Sequence, residues 1–176
     1  MTEEKPLTFS SEDVQALFEA LYKKYHKPLY LRTDPLILLY DYPDPYDREI
    51  VGLLVSSLAY GRAEQILRSC RRILELLGSS PRKTLLKYPP TRIETQLKNF
   101  KHRFTGGEEI AFLMRSIRRV LLQYGSLGEL FASNYRPWHD TVLEAACSFV
   151  KTLTNGKRCL LYTSDAADEG LGVDLG

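Results

Sequence analysis

Residues Asp47–Gly78, DREIVGLLVSSLAYGRAEQILRSCRRILELLG, constrain the fold more than any other stretch. They read as two helices separated by a break at Ala59-Tyr60-Gly61. The first carries Ile50, Val51, Leu53, Leu54, Val55 and Leu58 and is apolar on most sides, so it belongs at the centre of a core. The second gathers Ala63, Ile66, Leu67, Cys70, Ile73, Leu74 and Leu77 on one stripe, and Gly78 stops it. Arg68, Arg71 and Arg72 lie off that stripe. A buried helix feeding a basic one, with an exposed aromatic at the elbow, suits a surface that meets a polyanion.

Helical signals continue on both sides. Ser10 with Asp13 starts a helix that carries Val14, Leu17, Phe18, Leu21 and Tyr25 at helical spacing, and Pro28 ends it. Asp34-Pro35 and Asp44-Pro45 each start a helix, with proline at the first helical position and Asp47 in the first turn of the second. Short helices are expected from Ser80-Pro81 to about Tyr88 and over about Thr91–Asn99. A longer one buries Ile110, Leu113, Ile117, Val120, Leu121 and Tyr124 and exposes Arg115, Arg118 and Arg119. Ser126–Asn134 and His139–Leu153 complete the series. No stretch reads as a strand and no internal repeat is present, so the fold class is all-α.

The C-terminus needs separate treatment. Cys159–Gly176, CLLYTSDAADEGLGVDLG, reads as a translated sequencing adapter: the frame of a transposase adapter gives Cys159–Asp168 and, after its index bases, Val173–Gly176. Such a scar is excluded from fold reasoning. It is expected to be disordered, and the native frame is expected to continue past Arg158, leaving a helical domain over residues 1–158 that is incomplete at its C-terminus. The tail holds four acids and no base, so residues 1–158 carry net +6 rather than the +2 of the full chain. That charge is uneven: residues 1–47 are net −4, and residues 48–119 have 15 bases against 6 acids. A basic centre favours a polyanion partner, although basic faces are often only solvated surface.

No apolar run reaches the roughly 18 residues of a membrane span, and the N-terminus lacks a secretory apolar region. A cytoplasmic location and no membrane partner are expected. Cys70 and Cys147 fall among apolar helical positions and read as core thiols rather than a disulfide or metal pair.

No P-loop, dinucleotide fingerprint, nucleophile elbow, zinc-protease motif or paired CxxC is present. His26, His102 and His139 are scattered and read as surface or satisfied polar residues. Asp41, Asp44 and Asp47 cluster, but helix starts account for them better than a metal does. No metal and no cofactor is expected.

Two segments can meet nucleic acid. At the elbow, Tyr60 and Gly61 precede Arg62, Gln65 and Arg68, an aromatic followed by a helix N-terminus with basic and amide side chains. The alternative makes Tyr60 a partly buried residue at the core edge. The second segment, Lys101-His102-Arg103-Phe104-Thr105-Gly106-Gly107, sets three donors, an aromatic and two glycines before a helix N-terminus, an arrangement suited to phosphate. Its alternative is an ordinary glycine-rich helix entry with solvated cations. If nucleic acid is the ligand, Arg62, Arg68, Lys101, Arg103, Arg115 and Arg119 share one concave face. If they only solubilise the protein, they scatter.

DPLILLYDYPDPYDREIVGLLVSSLAYGR, FKHRFTGGEEI and a helix ending in QYGSL resemble the bacterial family catalogued as domain of unknown function 2400, with likeness over nearly all of residues 15–153. That family is in turn distantly similar to the helix-hairpin-helix DNA glycosylases. The resemblance implies a multi-helix orthogonal bundle like part of the glycosylase fold, with DNA as partner. In those glycosylases the loop after the corresponding apolar helix often presents a glutamine that wedges beside a flipped base. Leu58-Ala59-Tyr60-Gly61 stands there in this chain, and a tyrosine can stack instead. The glycosylase hairpin and catalytic aspartate fall C-terminal to the residues present, so no catalytic residue is assigned. Three functions follow: nucleic-acid binding, base-excision chemistry by a longer chain, or a helical protein-interaction module whose arginines meet an acidic partner.

Overall fold

A computed structural model describes residues 10–155. The segment read as adapter lies outside these residues. Among them the chain is mostly α-helical, as its periodicity predicts, with one small addition of β structure.

Helix α1 (Ser11–Tyr25) starts as expected: Ser10 Oγ accepts from the Asp13 N–H, and the Asp13 carboxylate accepts from the Ser10 N–H. Hydrogen bonds donated to the Asp13 carboxylate by the Ser10 hydroxyl, at 2.7 Å, and by the Ser10 N–H hold this carboxyl below its ordinary value. None of its residues is buried, however, and Leu17 and Phe18 are 55% and 65% exposed. Local patterning builds an amphipathic helix, but it does not determine what covers the apolar stripe. Residues Pro28–Leu31 and Pro35–Asp41 form tighter 3-10 turns rather than a restarted α-helix, the second capped by Asp34.

Helices α2 (Pro45–Ser57), α3 (Ala63–Leu77) and α6 (Gly107–Tyr124) supply most of the core. Ile50 and Val51 from the first, Leu58 just after it, Ile73 from the second, and Ile110, Leu113 and Ile117 from the third are fully shielded from water. Each such side chain contributes roughly 1.5–3 kcal/mol by leaving water. Ala63, expected on the buried stripe, is exposed because it sits in the first turn beyond the core contact. Helix α4 (Pro81–Lys87) packs against all three of these and α5 (Pro90–Leu97) against the third, while α7 (Leu127–Asn134) and α8 (Leu143–Thr154) pack on each other and on the third. The last helix begins later than expected, so Val142 is exposed. Cys147 is exposed too and is not a core thiol, whereas Cys70 is buried.

The acidic run before α2 is a set of helix caps. Asp44 accepts from the N–H groups of Tyr46 and Asp47 and caps its own helix. Asp47 is buried and reaches across to α4, accepting from Ser80 Oγ at 3.0 Å and the Arg82 N–H at 2.7 Å. Glu49 does the same for α7, accepting from the N–H groups of Leu127 and Gly128. Carboxylates at helix N-termini satisfy otherwise orphaned donors and complement the dipole.

Two arginines expected at the surface act at the opposite helix ends. Arg118 donates to the carbonyls of Leu85, Leu86 and Tyr88 at the end of α4. Arg119 donates to the carbonyls of Thr152 and Leu153 at the end of α8. A planar guanidinium with several donors can serve several carbonyls at once, which explains arginine at both positions. Of the three arginines on that helix, Arg115 stays on the surface and pairs with Glu94 of α5.

The segment expected as a loop contains a short antiparallel hairpin, β1 (Lys101–His102) and β2 (Thr105–Gly106), in register Lys101↔Gly106 and His102↔Thr105. Arg103 and Phe104 form its turn. They lack the Asn-Gly or Asp-Gly signal that marks a tight hairpin in a sequence, and Arg103 takes the positive φ instead, at 50°.

Candidate nucleic-acid interface

The elbow is built by local chemistry. Near the end of α2, Ser56 and Ser57 turn their hydroxyls back to the Leu53 carbonyl, at 3.0 and 2.7 Å. Such back-bonding loosens a helix end. Leu58 closes the core, and Gly61 turns the chain with φ +102°, a value few other residues adopt. A Cβ at Gly61 would also meet Arg103 Cδ at 2.9 Å, so the elbow and the hairpin tip lie against each other.

Tyr60 is half-buried and is held rather than displayed. Its hydroxyl lies 3.1 Å from the His102 carbonyl and 2.5 Å from Thr105 Oγ1. The imidazole of His102 is 3% exposed; its Nε2 lies 3.1 Å from the Tyr60 carbonyl and its Nδ1 2.9 Å from Ser69 Oγ. The two rings meet edge to face, with centroids 4.9 Å apart. A carbonyl can only accept, so Nε2 carries a proton and Nδ1 of a neutral ring accepts from Ser69. By the same logic the Tyr60 hydroxyl donates to the His102 carbonyl and accepts from Thr105. The Tyr60 hydroxyl and both ring nitrogens of His102 are therefore engaged inside the protein, with Tyr60 half-buried at the core edge.

The glycines of the same segment are engaged as well. Glu109 Oε2 accepts from the Gly106 N–H at 2.9 Å, and Glu108 adds a second carboxylate to that first turn. The Gly106 N–H is thus already taken by a carboxylate of its own helix. Gly107 serves packing, since a Cβ there would lie 1.9 Å from the Leu97 carbonyl oxygen.

Arg62, Gln65, Arg68, Lys101 and Arg103 all remain exposed. At 100° per residue, Arg62, Gln65, Ser69 and Arg72 lie along one side of α3, with Arg68 beside them and Arg71 turned further away. The Ser69–His102 hydrogen bond and the placement of Arg72 over Phe100, 5.8 Å from its centroid, aim that side at the hairpin. The structure thus joins Gly61, Arg62 and Arg103 at the elbow, with Lys101 and Arg72 adjoining. Arg68 is tied to Glu64 at 3.2 Å, an exposed pair of little energetic weight. Arg115 and Arg119 do not belong to this set, because α5 and α8 engage them. Of the six cations, Arg62 and Arg103 meet at Gly61, and Lys101 adjoins them on the hairpin.

At the start of α3, Arg62 provides no side-chain cap, so its first N–H groups are left to solvent or a ligand. In the sequence Phe104 counts only as the aromatic of the second segment, and Arg72 only as a residue off the apolar stripe of α3. An aromatic placed next to Arg103 was the available signal for the first, and the i+3 spacing from Ser69 for the second.

Among the described residues no three His, Cys, Asp or Glu side chains stand close enough to hold a metal. Among the same residues no helix is long and apolar enough to cross a membrane. No curated protein matches the chain, and no solved structure does. One family model matches residues 34–169, starting later than the likeness read from the sequence and running past Arg158. That span covers more than half of the chain, which therefore belongs to the family described as "Protein of unknown function (DUF2400)".

Proposed function

We propose that this protein binds nucleic acid, with DNA as the ligand, through the basic surface formed by the start of α3 and the β1–β2 hairpin. One observation carries the reading: among Arg62, Arg68, Arg71, Arg72, Lys101 and Arg103, only Arg68 has a carboxylate partner among the described residues. Unpaired cations held on rigid elements attract phosphates at little further ordering cost. At the start of α3 the N–H groups of Ala63 and Glu64 have no side-chain cap, and the Glu64 carboxylate in that turn is paired with Arg68. The distant resemblance of the family to the helix-hairpin-helix DNA glycosylases, read from the sequence, implies the same partner and a glycosylase-like bundle, although Leu58-Ala59-Tyr60-Gly61 departs from their glutamine pattern at the elbow.

The test is a fluorescence-anisotropy titration against duplex, mismatched and single-stranded DNA over a salt series. Binding is expected to weaken steeply as salt rises, because phosphate contacts release counterions. Binding that is absent at low salt, or indifferent to salt, rules the reading out.

A second reading, a helical interaction module, is favoured by α1, whose Leu17, Phe18, Leu21 and Tyr25 are all exposed. An apolar stripe of this kind fits the hydrophobic groove of a protein partner. Replacing Leu17 and Phe18 by Ser would abolish capture of such a partner and leave DNA binding intact.

A further inference from the structure

The turn of the β1–β2 hairpin presents Phe104 at 78% exposure, the highest of any large hydrophobic side chain among the described residues. A lone exposed aromatic is ordinary, but the support under this one is not. The hairpin is pinned behind the tip by Tyr60, Ser69, His102 and Thr105, so the ring stands on a base with little freedom to retreat. Arg103 adopts φ 50°, a conformation that costs a non-glycine residue free energy. In doing so it places its guanidinium over the Phe104 ring, with Cζ 5.6 Å from the centroid. A cation covers one face of the ring and the rest remains in water. Lys101 stands at the foot of the same hairpin, and the Arg103 side chain runs along Gly61 next to Arg62.

A rigid ring with one open face, bordered by cations, matches a nucleobase and its adjoining phosphates. A paired base already has both faces stacked, and a ring at a hairpin tip would first have to displace a neighbour. An unpaired base has a face to offer. We infer that Phe104 is the stacking platform for one unpaired nucleobase of a DNA strand, with Arg103 and Lys101 contacting the phosphates beside it. This inference rests on the nucleic-acid-binding reading and names the residue and the form of DNA it takes.

The test uses the 176-residue chain and a short single-stranded oligonucleotide carrying one 2-aminopurine and a terminal dye. Anisotropy of the dye reports binding, and quenching of 2-aminopurine reports stacking. The wild-type protein is expected to bind and quench. Phe104→Ala is expected to bind roughly tenfold more weakly, the scale of one lost base–aromatic stack, and to lose the quench. Phe104→Tyr is expected to keep both. An unchanged melting temperature for Phe104→Ala is expected, because the side chain lies outside the core. Equal affinity and equal quench for Phe104→Ala would overturn the assignment, as would tighter binding of a fully paired duplex. Wild-type binding without a quench overturns the stacking role alone. No wild-type binding at low salt overturns the nucleic-acid reading and this inference with it.

Discussion

Tyr60 and His102 hold each other's backbone. The imidazole Nε2 of His102 donates to the Tyr60 carbonyl at 3.1 Å, and the Tyr60 hydroxyl donates to the His102 carbonyl at 3.1 Å. The residues are 42 positions apart, so this exchange is what fastens the hairpin to the elbow after α2. Removing the phenol hydroxyl leaves the His102 carbonyl and the buried Thr105 hydroxyl without their partner. Tyr60→Phe is expected to cost about 1–3 kcal/mol in urea denaturation, and His102→Ala more, since it also leaves a cavity.

Asp47 fastens α2 to α4 in a similar way. Asp47→Ala leaves the Arg82 N–H and the Ser80 hydroxyl without their acceptor in a partly buried place. A loss of about 1–2 kcal/mol is expected, as for deletion of a helix cap. Equilibrium denaturation of the variant beside Asp41→Ala checks it, because Asp41 is exposed and its replacement is expected to be nearly neutral.

The three arginines of α6 separate structural from surface charge. Arg118→Ala exposes no charge imbalance in the core but strips three carbonyls of their donor, and about 1–3 kcal/mol is expected to be lost. Arg115→Ala breaks only an exposed pair and is expected to cost less than about 1 kcal/mol. Equal losses at the two positions would contradict the carbonyl clamp.

The thiols are expected to differ in reactivity. Burial pushes the Cys70 thiol up to about 11, whereas Cys147 is exposed. Iodoacetamide at pH 8 should label Cys147 in the native protein and Cys70 only after denaturation, as read by peptide mass spectrometry. The raised Cys70 value also has a stability consequence. From its ordinary value of 9.0 up to about 11, the unfolded chain is deprotonated while the folded one keeps the proton. Stability should therefore be fully present below pH 9 and fall between pH 9 and 11. Tyr42, raised by burial and then by the charges of Asp41 and Asp47, adds to the fall in the same direction at higher pH. Cys70→Ser is expected to reduce the loss between pH 9 and 11.

The cations at the elbow make a prediction distinct from stability. Arg62→Ala and Lys101→Ala should leave the melting temperature unchanged, since both side chains are exposed. Each is expected to lower DNA affinity and to reduce the slope of affinity against salt by about one counterion. The anisotropy series reads both quantities.

The sequence by itself determined the helices. Ser10, Asp34, Asp44 and Ser126 cap the elements they were expected to start, and the periodic apolar residues of α2, α3 and α6 became the core. These signals are local: a cap acts within one turn, and a stripe repeats every three or four residues. The same signals could not tell a free polar group from a spent one. Tyr60, His102, Arg118 and Arg119 looked like elbow, loop or surface residues and Asp47 like a first-turn residue of its own helix, and each is satisfied by a partner at least 30 positions away. Only the tertiary structure decides such cases, because availability for a ligand depends on what lies opposite in space. It turned Tyr60 and His102 inward as the anchor, and it left Arg103 and Phe104, which no partner holds in the core, at the tip.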